Sequence, residues 1–381
     1  MKKELKTAIV HEWFAEYAGS ERVVESFTNI WQNADVFALV DLLNDEERQI
    51  VLKSKKVKTS FIQKLPFAKT KHRYYLPLFP FAIEGFDFSG YDMIISSSHA
   101  VTKGIKKNPD QLHISYCHSP MRYAWDNAEL YLSQANISKG IKGLVARKTI
   151  NYLRKWDLKT ASRPEYLIAN SRFIAGKIKR IYNREADVIY PPVDVNKFDC
   201  VKEKGDYFLT ASRMVPYKRV DLIVEAFSKL EILKLKVVGQ GPELKKIKSM
   251  ASSNIEFLGY KNDKELNTLM QKAKAFVFAA EEDFGITVVE AMACGTPVIA
   301  LNSGGTAETV IDSKTGILFD SQNVDSIKNA MLKFESKIGT FNPQEISVHA
   351  KQFSREIFEK KIKEYVRDKS LSFFGEDKTD Y

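Results

Sequence analysis

Cysteine is scarce in this sequence, with only Cys117, Cys200 and Cys294 in a chain of 381 residues. Odd in number and far apart, they form neither a disulfide framework nor a zinc-ligand spacing, which points to a reducing compartment. No uncharged apolar run reaches the ~18 residues, free of Gly and Pro, that a membrane-spanning helix requires. The opening Met1-Lys2-Lys3-Glu4-Leu5 leads within a few positions to His11 and Glu12. It has no apolar signal core and no small-residue cleavage site. The expectation from these absences is a cytoplasmic protein. Two nucleotide signatures are also missing. No Gly-x-Gly-x-x-Gly follows the first strand candidate, against a dinucleotide dehydrogenase, and no Gly-x4-Gly-Lys-Ser/Thr occurs, against a P-loop NTPase.

What is present is an ordinary globular composition: 44% hydrophobic, 28% charged and 12% aromatic, enough for two cores at about 150 residues per domain. The net charge of +10 is concentrated. Residues 52–75 hold Lys53, Lys55, Lys56, Lys58, Lys64, Lys69, Lys71 and Arg73 without an acid, and 139–163 hold eight more cations against Asp157 alone. Such patches suit polyanions: nucleic acid, anionic lipid or phosphorylated substrates. With pI ≈ 9.1 and aromatics between the cations, a nucleic-acid-binding protein is the alternative from another class.

Along the chain, short apolar strands alternate with helical spacings. Thr7–Val10 reads as a strand, His11–Ser20 as a loop, and Val23, Val24 and Phe27 as one face of a helix. Further strands fall at 92–96, 112–116 and 166–171. Periodicity is lost over 189–199 around a Pro pair, which places a domain boundary there. The alternation then restarts, with strands at 207–210, 235–238, 255–258, 275–278 and 297–301 and helices at 219–230, 263–273 and from about 285. This predicts an α/β protein of two doubly wound, Rossmann-like domains, 1–190 and 191–353, facing a central cleft. A final helix at about 354–368 is free to pack back on the first domain, and 369–381 reads as frayed. Ligands of such sheets bind at the carboxyl ends of the strands.

The richest stretch follows residue 278. Strand 275–278 enters the acidic loop around Glu282, and a helix opens near Phe284 and closes at Gly295, a natural residue to end it. Exposed N–H groups at the helix start, with Gly285 permitting close approach, make an anion site of Phe284, Gly285 and Ile286. Glu290, inside the helix, is suited to accept hydrogen bonds from a vicinal diol such as a ribose.

Here the sequence resembles the family four retaining glycosyltransferases of the GT-B type. Glu282 and Glu290, with seven residues between them, followed by Ala291-Met292-Ala293-Cys294-Gly295-Thr296-Pro297-Val298-Ile299-Ala300, match their signature. Ser212–Asp221 looks like the basic phosphate-binding segment of that family, and Val238–Pro242, Phe257–Tyr260 and Gly304–Glu308 match three more elements. Tyr17–Val23 resembles the N-terminal loop, with Ala18 in place of the first of two glycines. Tyr116–Asp126 looks like bacterial mannosyltransferases of O-antigen or related lipid-linked polysaccharide assembly, which use GDP-mannose.

The resemblance implies a role for each residue. Departure of a nucleoside diphosphate needs positive charge; the chain has no Asp-x-Asp to hold a metal, and Arg213 and Lys218 supply fixed cations instead. Glu282 takes hydroxyls of the donor sugar, Glu290 the ribose, and His118 contacts the sugar from the first domain. Gly19 lets the first-domain loop approach the diphosphate. Arg122, Tyr123 and Trp125 fall on the acceptor side. His11 and His99 read as structural. The expectation is thus a hexosyltransferase without a bound metal or cofactor, using a nucleotide sugar (GDP-mannose, or a UDP-sugar as the alternative) and a lipid-linked saccharide. Finally, residues 61–83 interleave Phe61, Leu65, Phe67, Tyr74, Tyr75, Leu76, Leu78, Phe79 and Phe81 with cations. Residues 139–163 do the same with Ile141, Leu144, Val145, Ile150, Leu153 and Trp156. That composition suits a helix lying on an anionic membrane, here the inner face of the cell membrane.

Overall fold

The computed structural model describes residues 5–126 and 140–375. Lys139 and the side chain of Ile141 in the second basic stretch, and 376–381 of the expected tail, lie outside the described residues. The chain divides into two compact units, Met1–Pro192 with Phe358–Tyr381, and Val193–Ile357.

The first unit is built on a seven-stranded parallel sheet: β1 Thr7–Phe14, β2 Asp35–Asp41, β3 Val57–Thr59, β4 Met93–Ser98, β5 Leu112–Cys117, β6 Tyr166–Ala169 and β7 Asp187–Val188. Its order is β3-β2-β1-β4-β5-β6-β7. The inner strands are apolar almost throughout because helices cover both faces, and the two-residue repeat sorts their side chains. Ile9 joins one core with Phe14, Val23 and Phe27, while its neighbours Ala8 and Val10 join the other with Phe37, Phe79 and Leu153.

Sequence and structure differ at both ends of this unit. The first strand does not stop at Val10 but runs to Phe14, taking His11 and Glu12 into full burial. Two ionisable residues look like the start of a loop; the strand tolerates them because each finds partners inside, as described below. The tail expected to fray from 369 is helical to Phe374 within the helix Arg355–Phe374. Phe358, Ile362 and Val366 of that helix lie in the first unit's core, with Phe373 and Phe374 packed against it. The strands Asp35–Asp41, Val57–Thr59 and Asp187–Val188 are additional to those expected.

The second unit has a six-stranded parallel sheet: β8 Tyr207–Ala211, β9 Lys234–Val238, β10 Ile255–Gly259, β11 Ala275–Phe278, β12 Val298–Leu301 and β13 Gly316–Phe319. Its order is β10-β9-β8-β11-β12-β13. The last of these strands is also additional to those expected. Both sheets reverse their winding once, between β1 and β4 and between β8 and β11. The carboxyl ends of those pairs are where doubly wound sheets hold ligands.

Candidate functional site

In the second unit the segments that follow β8 and β11 meet. After β8 the chain makes a short 3-10 turn, Pro216–Lys218, then turns through Arg219 at φ +53° into the helix Val220–Ser228. After β11 comes the acidic loop. Lys218 Nζ is ion-paired with Glu282 Oε1, and both side chains are about four-fifths buried. The ammonium lies 5.6 Å from the Phe278 ring centre and 5.7 Å from that of Tyr217. Arg213, on the same post-β8 segment, is exposed.

The acidic loop is locked from behind by Gly304-Gly305. Gly305 N–H donates to Glu282 O at 2.7 Å, and a Cβ at Gly305 would stand 2.2 Å from Phe284 Cα. Any side chain there would push the loop out, so the second glycine fixes where Glu282 sits. The Phe284 ring is buried against Phe353, centroids 5.6 Å apart, so this residue faces inward and offers a ligand only its backbone.

Gly285, at φ +87°, precedes the helix Ile286–Ala293, which has no side-chain cap. Its first intrahelical bond is Val288 N–H to Gly285 O at 3.0 Å, so the N–H groups of Ile286 and Thr287 have no carbonyl behind them in the helix. Partial positive charge therefore collects beside the Lys218–Glu282 pair. Glu290 is half-buried one turn further along. At the other end Lys204 Nζ donates to Cys294 O at 2.9 Å and Thr296 Oγ1 at 2.9 Å, a cation on the helix C-terminus. Burial lowers the pKa of this lysine to about 8. Nothing in the local sequence marks Lys204, which lies 90 residues from its acceptor.

In the first unit, the carboxyl ends of β1 and β4 hold a buried polar cluster. Glu12 Oε1 accepts the N–H groups of His99 (3.0 Å), Ala100 (2.8 Å), Val101 (3.0 Å) and Thr102 (3.2 Å), which fold the chain after β4 around one carboxylate oxygen. Its other oxygen faces His99 Nδ1 at 3.2 Å and His11 Nδ1 at 4.0 Å. His11 Nε2 is 3.4 Å from Glu21 Oε1, and His11 Nδ1 is 3.1 Å from Ser97 Oγ. His118 Nε2 approaches the same hydroxyl at 2.8 Å.

Burial opposes every charge here, and the pairings decide the outcome. Burial disfavours ionised Glu12, but His99, His11 and the backbone N–H groups overcome it and bring its pKa to about 2. Burial would likewise lower the pKa of His11, yet Glu21 and Glu12 raise it. For His118 burial, reinforced by His99 and His11, lowers the pKa to about 3. Ligand atoms of His11, Glu12 and His99 lie within 4.8 Å of one another. His11 Nδ1 also faces the carbonyl oxygen of Ser97 at 3.3 Å, however, and an oxygen that only accepts requires a proton on that nitrogen. These hydrogen bonds and ion pairs link the cluster into one buried network.

The other candidates of the first unit fall nearby or into the core. Gly19 opens the helix Gly19–Ile30, which also lacks a side-chain cap. Arg122 and Tyr123 are half-buried just past His118. Trp125 donates its indole N–H to the buried Asp157 at 2.7 Å, so that donor is engaged in holding the fold. Asp157 also pairs with buried Lys103 and accepts from Tyr182 Oη at 2.7 Å.

Comparison with known proteins bears on this arrangement. Residues 195–345 match the family described as "Glycosyl transferases group 1". The match spans 151 of the 381 residues, all within the second unit. A similar protein is an uncharacterized glycosyltransferase of Methanocaldococcus jannaschii, 34% identical over 174 residues, covering 44% of this chain and 48% of that one. Another is the GDP-mannose-dependent alpha-(1-6)-phosphatidylinositol monomannoside mannosyltransferase of Mycolicibacterium smegmatis. It is 35% identical over 137 residues, covering 32% of this chain and 36% of the relative. The chain thus spans half or less of these relatives' lengths. The solved Anabaena HepE, in complex with UDP and glucose, superposes with a TM-score of 0.67 at 16% identity, over 96% of this chain and all of that one. Sucrose-phosphate synthase from Thermosynechococcus elongatus gives 0.73 at 16% identity over 96% and 100%. The fold is GT-B.

Within the matched region, the sequence candidates Lys218, Glu282, Gly285, Ile286 and Glu290 gather around one loop and one helix start, with Arg213 exposed on the post-β8 segment. The histidine cluster belongs to the other unit. His11 and His99, expected to be structural, join His118 in a single network. The available signal was His11-Glu12 interrupting a run of apolar residues, since charge inside a strand demands partners.

Proposed function

We propose that this protein is a retaining glycosyltransferase that moves a hexose, mannose from GDP-mannose, onto a lipid-linked saccharide in cell-surface polysaccharide synthesis. The observation that carries the reading is the Lys218–Glu282 pair beside the uncapped start of the helix Ile286–Ala293. A nucleotide sugar presents a diphosphate and hydroxyls side by side. A largely buried cation and free N–H groups answer the first, and the carboxylate of Glu282, whose backbone carbonyl is held by Gly305 N–H, answers the second. On this reading Lys218 and Arg213 stabilise the departing diphosphate, Glu282 orients the sugar and Glu290 holds the ribose, while His118 is the sugar-contact candidate of the first unit. The GDP-mannose-dependent relative supports the choice of donor. The test is thermal melting with GDP, UDP, ADP and their sugar conjugates. A ligand at 100 times its Kd adds about 2.7 kcal/mol, so GDP and GDP-mannose should stand apart. A shift with UDP-sugars alone would move the donor, and none with any nucleotide would reject the reading.

A second element of the proposal is peripheral attachment to anionic membrane. Phe61, Phe67, Tyr74 and Phe81 are 48–77% exposed among Lys64, Lys69, Lys71 and Arg73, and Leu144 and Val145 are more than half exposed on the basic helix Gly140–Thr160. Phe79, Leu153 and Trp156 of the same stretches are core. Aromatic and aliphatic side chains left in water beside cations suit a lipid headgroup layer. This would bring the enzyme to a lipid-linked acceptor.

A further inference from the structure

The polar cluster of the first unit is a continuous chain: Ser20 Oγ to Glu21 Oε2 at 2.9 Å, Glu21 Oε1 to His11 Nε2 at 3.4 Å, His11 Nδ1 to Ser97 Oγ at 3.1 Å, and Ser97 Oγ to His118 Nε2 at 2.8 Å. One assignment of donors and acceptors satisfies every member of this chain. Carboxylate and carbonyl oxygens only accept, so His11 carries hydrogen on both nitrogens, toward Glu21 on one side and Ser97 on the other. Ser97 Oγ then receives from His11 and has one hydrogen to give, and His118 Nε2 is the acceptor at hand. With Nε2 accepting, the ring proton of neutral His118 is on Nδ1.

We propose that Glu21, His11 and Ser97 are positioning residues that hold His118 as the neutral Nδ1–H tautomer, so that it presents a hydrogen-bond donor to a sugar hydroxyl oxygen of the substrate. The substrate part rests on the glycosyltransferase reading; the tautomer part stands on the chain itself. His118 Nδ1 has no partner among the described residues, and the side chain is half-buried, leaving that nitrogen for a ligand. The charged and titratable groups acting on it are His99, His11, Glu12 and Glu21, with Arg122 acting in turn on His99. Two carboxylates beside two histidines let the positive charge rest on His11 and keep it off His118. A neutral donor of fixed direction selects an oxygen acceptor at one place, whereas an imidazolium would attract any anion.

The test is long-range proton–nitrogen NMR on the full chain labelled with 15N-histidine, whose six histidines are few enough to resolve, with His118 assigned by its loss in His118→Gln. The expected result is a protonated Nδ1 and a bare Nε2 at neutral pH. A protonated Nε2 in the unmodified protein overturns the proposal. Ser97→Ala should release the ring to a mixture of tautomers, and Ser97→Thr, which keeps the hydroxyl, should restore one. An unchanged single tautomer in Ser97→Ala overturns the positioning role, with cooperative melting of each variant confirming that it folds. In parallel, the extra stabilisation by GDP-mannose over GDP should fall about tenfold in affinity in Ser97→Ala while GDP alone is unaffected. If the unmodified protein distinguishes no sugar nucleotide from its diphosphate, the transferase reading fails, and the tautomer result still decides the proposal.

Discussion

Lys218 and Glu282 are 64 residues apart in sequence and form one ion pair, tying the segment after β8 to the segment after β11. They arise in the sequence as two separate candidates, a cation for phosphate and a carboxylate for sugar. In the folded chain each sets the orientation of the other, so neither acts alone. Removing one partner leaves the other largely desolvated and unpaired.

The pair makes a prediction about additivity. Lys218→Ala and Glu282→Ala should each reduce kcat by roughly 10²–10³, by analogy with losing one preorganised electrostatic group. The double variant should be little worse than either single one, because contacting residues couple. Arg213→Ala, exposed and on the same segment, should combine with Lys218→Ala more nearly additively. Steady-state kinetics of the three singles and two doubles checks this, and full additivity of Lys218 with Glu282 would count against a shared role.

Glu290 gives a different kinetic signature. If it holds the ribose, its contact persists from bound donor to transition state, so Glu290→Ala should raise donor KM far more than it lowers kcat. Competitive inhibition by the free nucleoside diphosphate should weaken in parallel. A kcat effect with unchanged KM would assign Glu290 elsewhere.

The buried histidines make stability depend on pH in a defined direction. His113 and His118 have pKa values lowered from 6.5 to about 3, chiefly by burial. Their stabilising contribution is present above 6.5 and is lost as pH falls from there toward 3, because the unfolded chain binds the protons first. Glu12, lowered from 4.5 to about 2, adds to the loss below 4.5. His11, whose pKa is raised, acts oppositely and loses its contribution as pH climbs through its folded-state value. Urea midpoints should therefore drop between pH 6.5 and 4. His113→Gln should flatten that slope by roughly 1.4 kcal/mol per pH unit. Equal slopes for the two proteins would refute the assignment.

Membrane attachment is testable on the exposed aromatics alone. Phe67→Ser with Tyr74→Ser should reduce cosedimentation with anionic vesicles several-fold without shifting the melting temperature, since both side chains are about three-quarters exposed. Changing Lys69 and Lys71 to Glu should remove the salt-sensitive part. Binding to neutral vesicles equal to that on anionic ones would defeat the electrostatic half of the idea.

The sequence by itself determined the doubly wound architecture and the donor-side candidates. Short apolar runs such as Ala275–Phe278, and Gly285 and Gly295 on either side of the mostly apolar nine residues 286–294, are local signals, and backbone chemistry reads them locally. The spacing of the candidates Glu282 and Glu290 is a local feature of the same kind, fixed by one loop and one helix. Only the tertiary structure decided which groups touch. Lys218 meets Glu282, Lys204 meets the helix end at Cys294, and His11 meets Ser97 and, through it, His118, over separations that no periodicity encodes. The burial of His11 and Glu12 left only one trace in the chain, their place inside an apolar run, and the polar pair reads as a loop until its partners arrive from β4 and the helix Gly19–Ile30. The physical reason is the same in each case. Secondary structure answers to neighbours a few residues away, whereas the cost of burying charge is offset only by whatever the fold brings within about 3 Å.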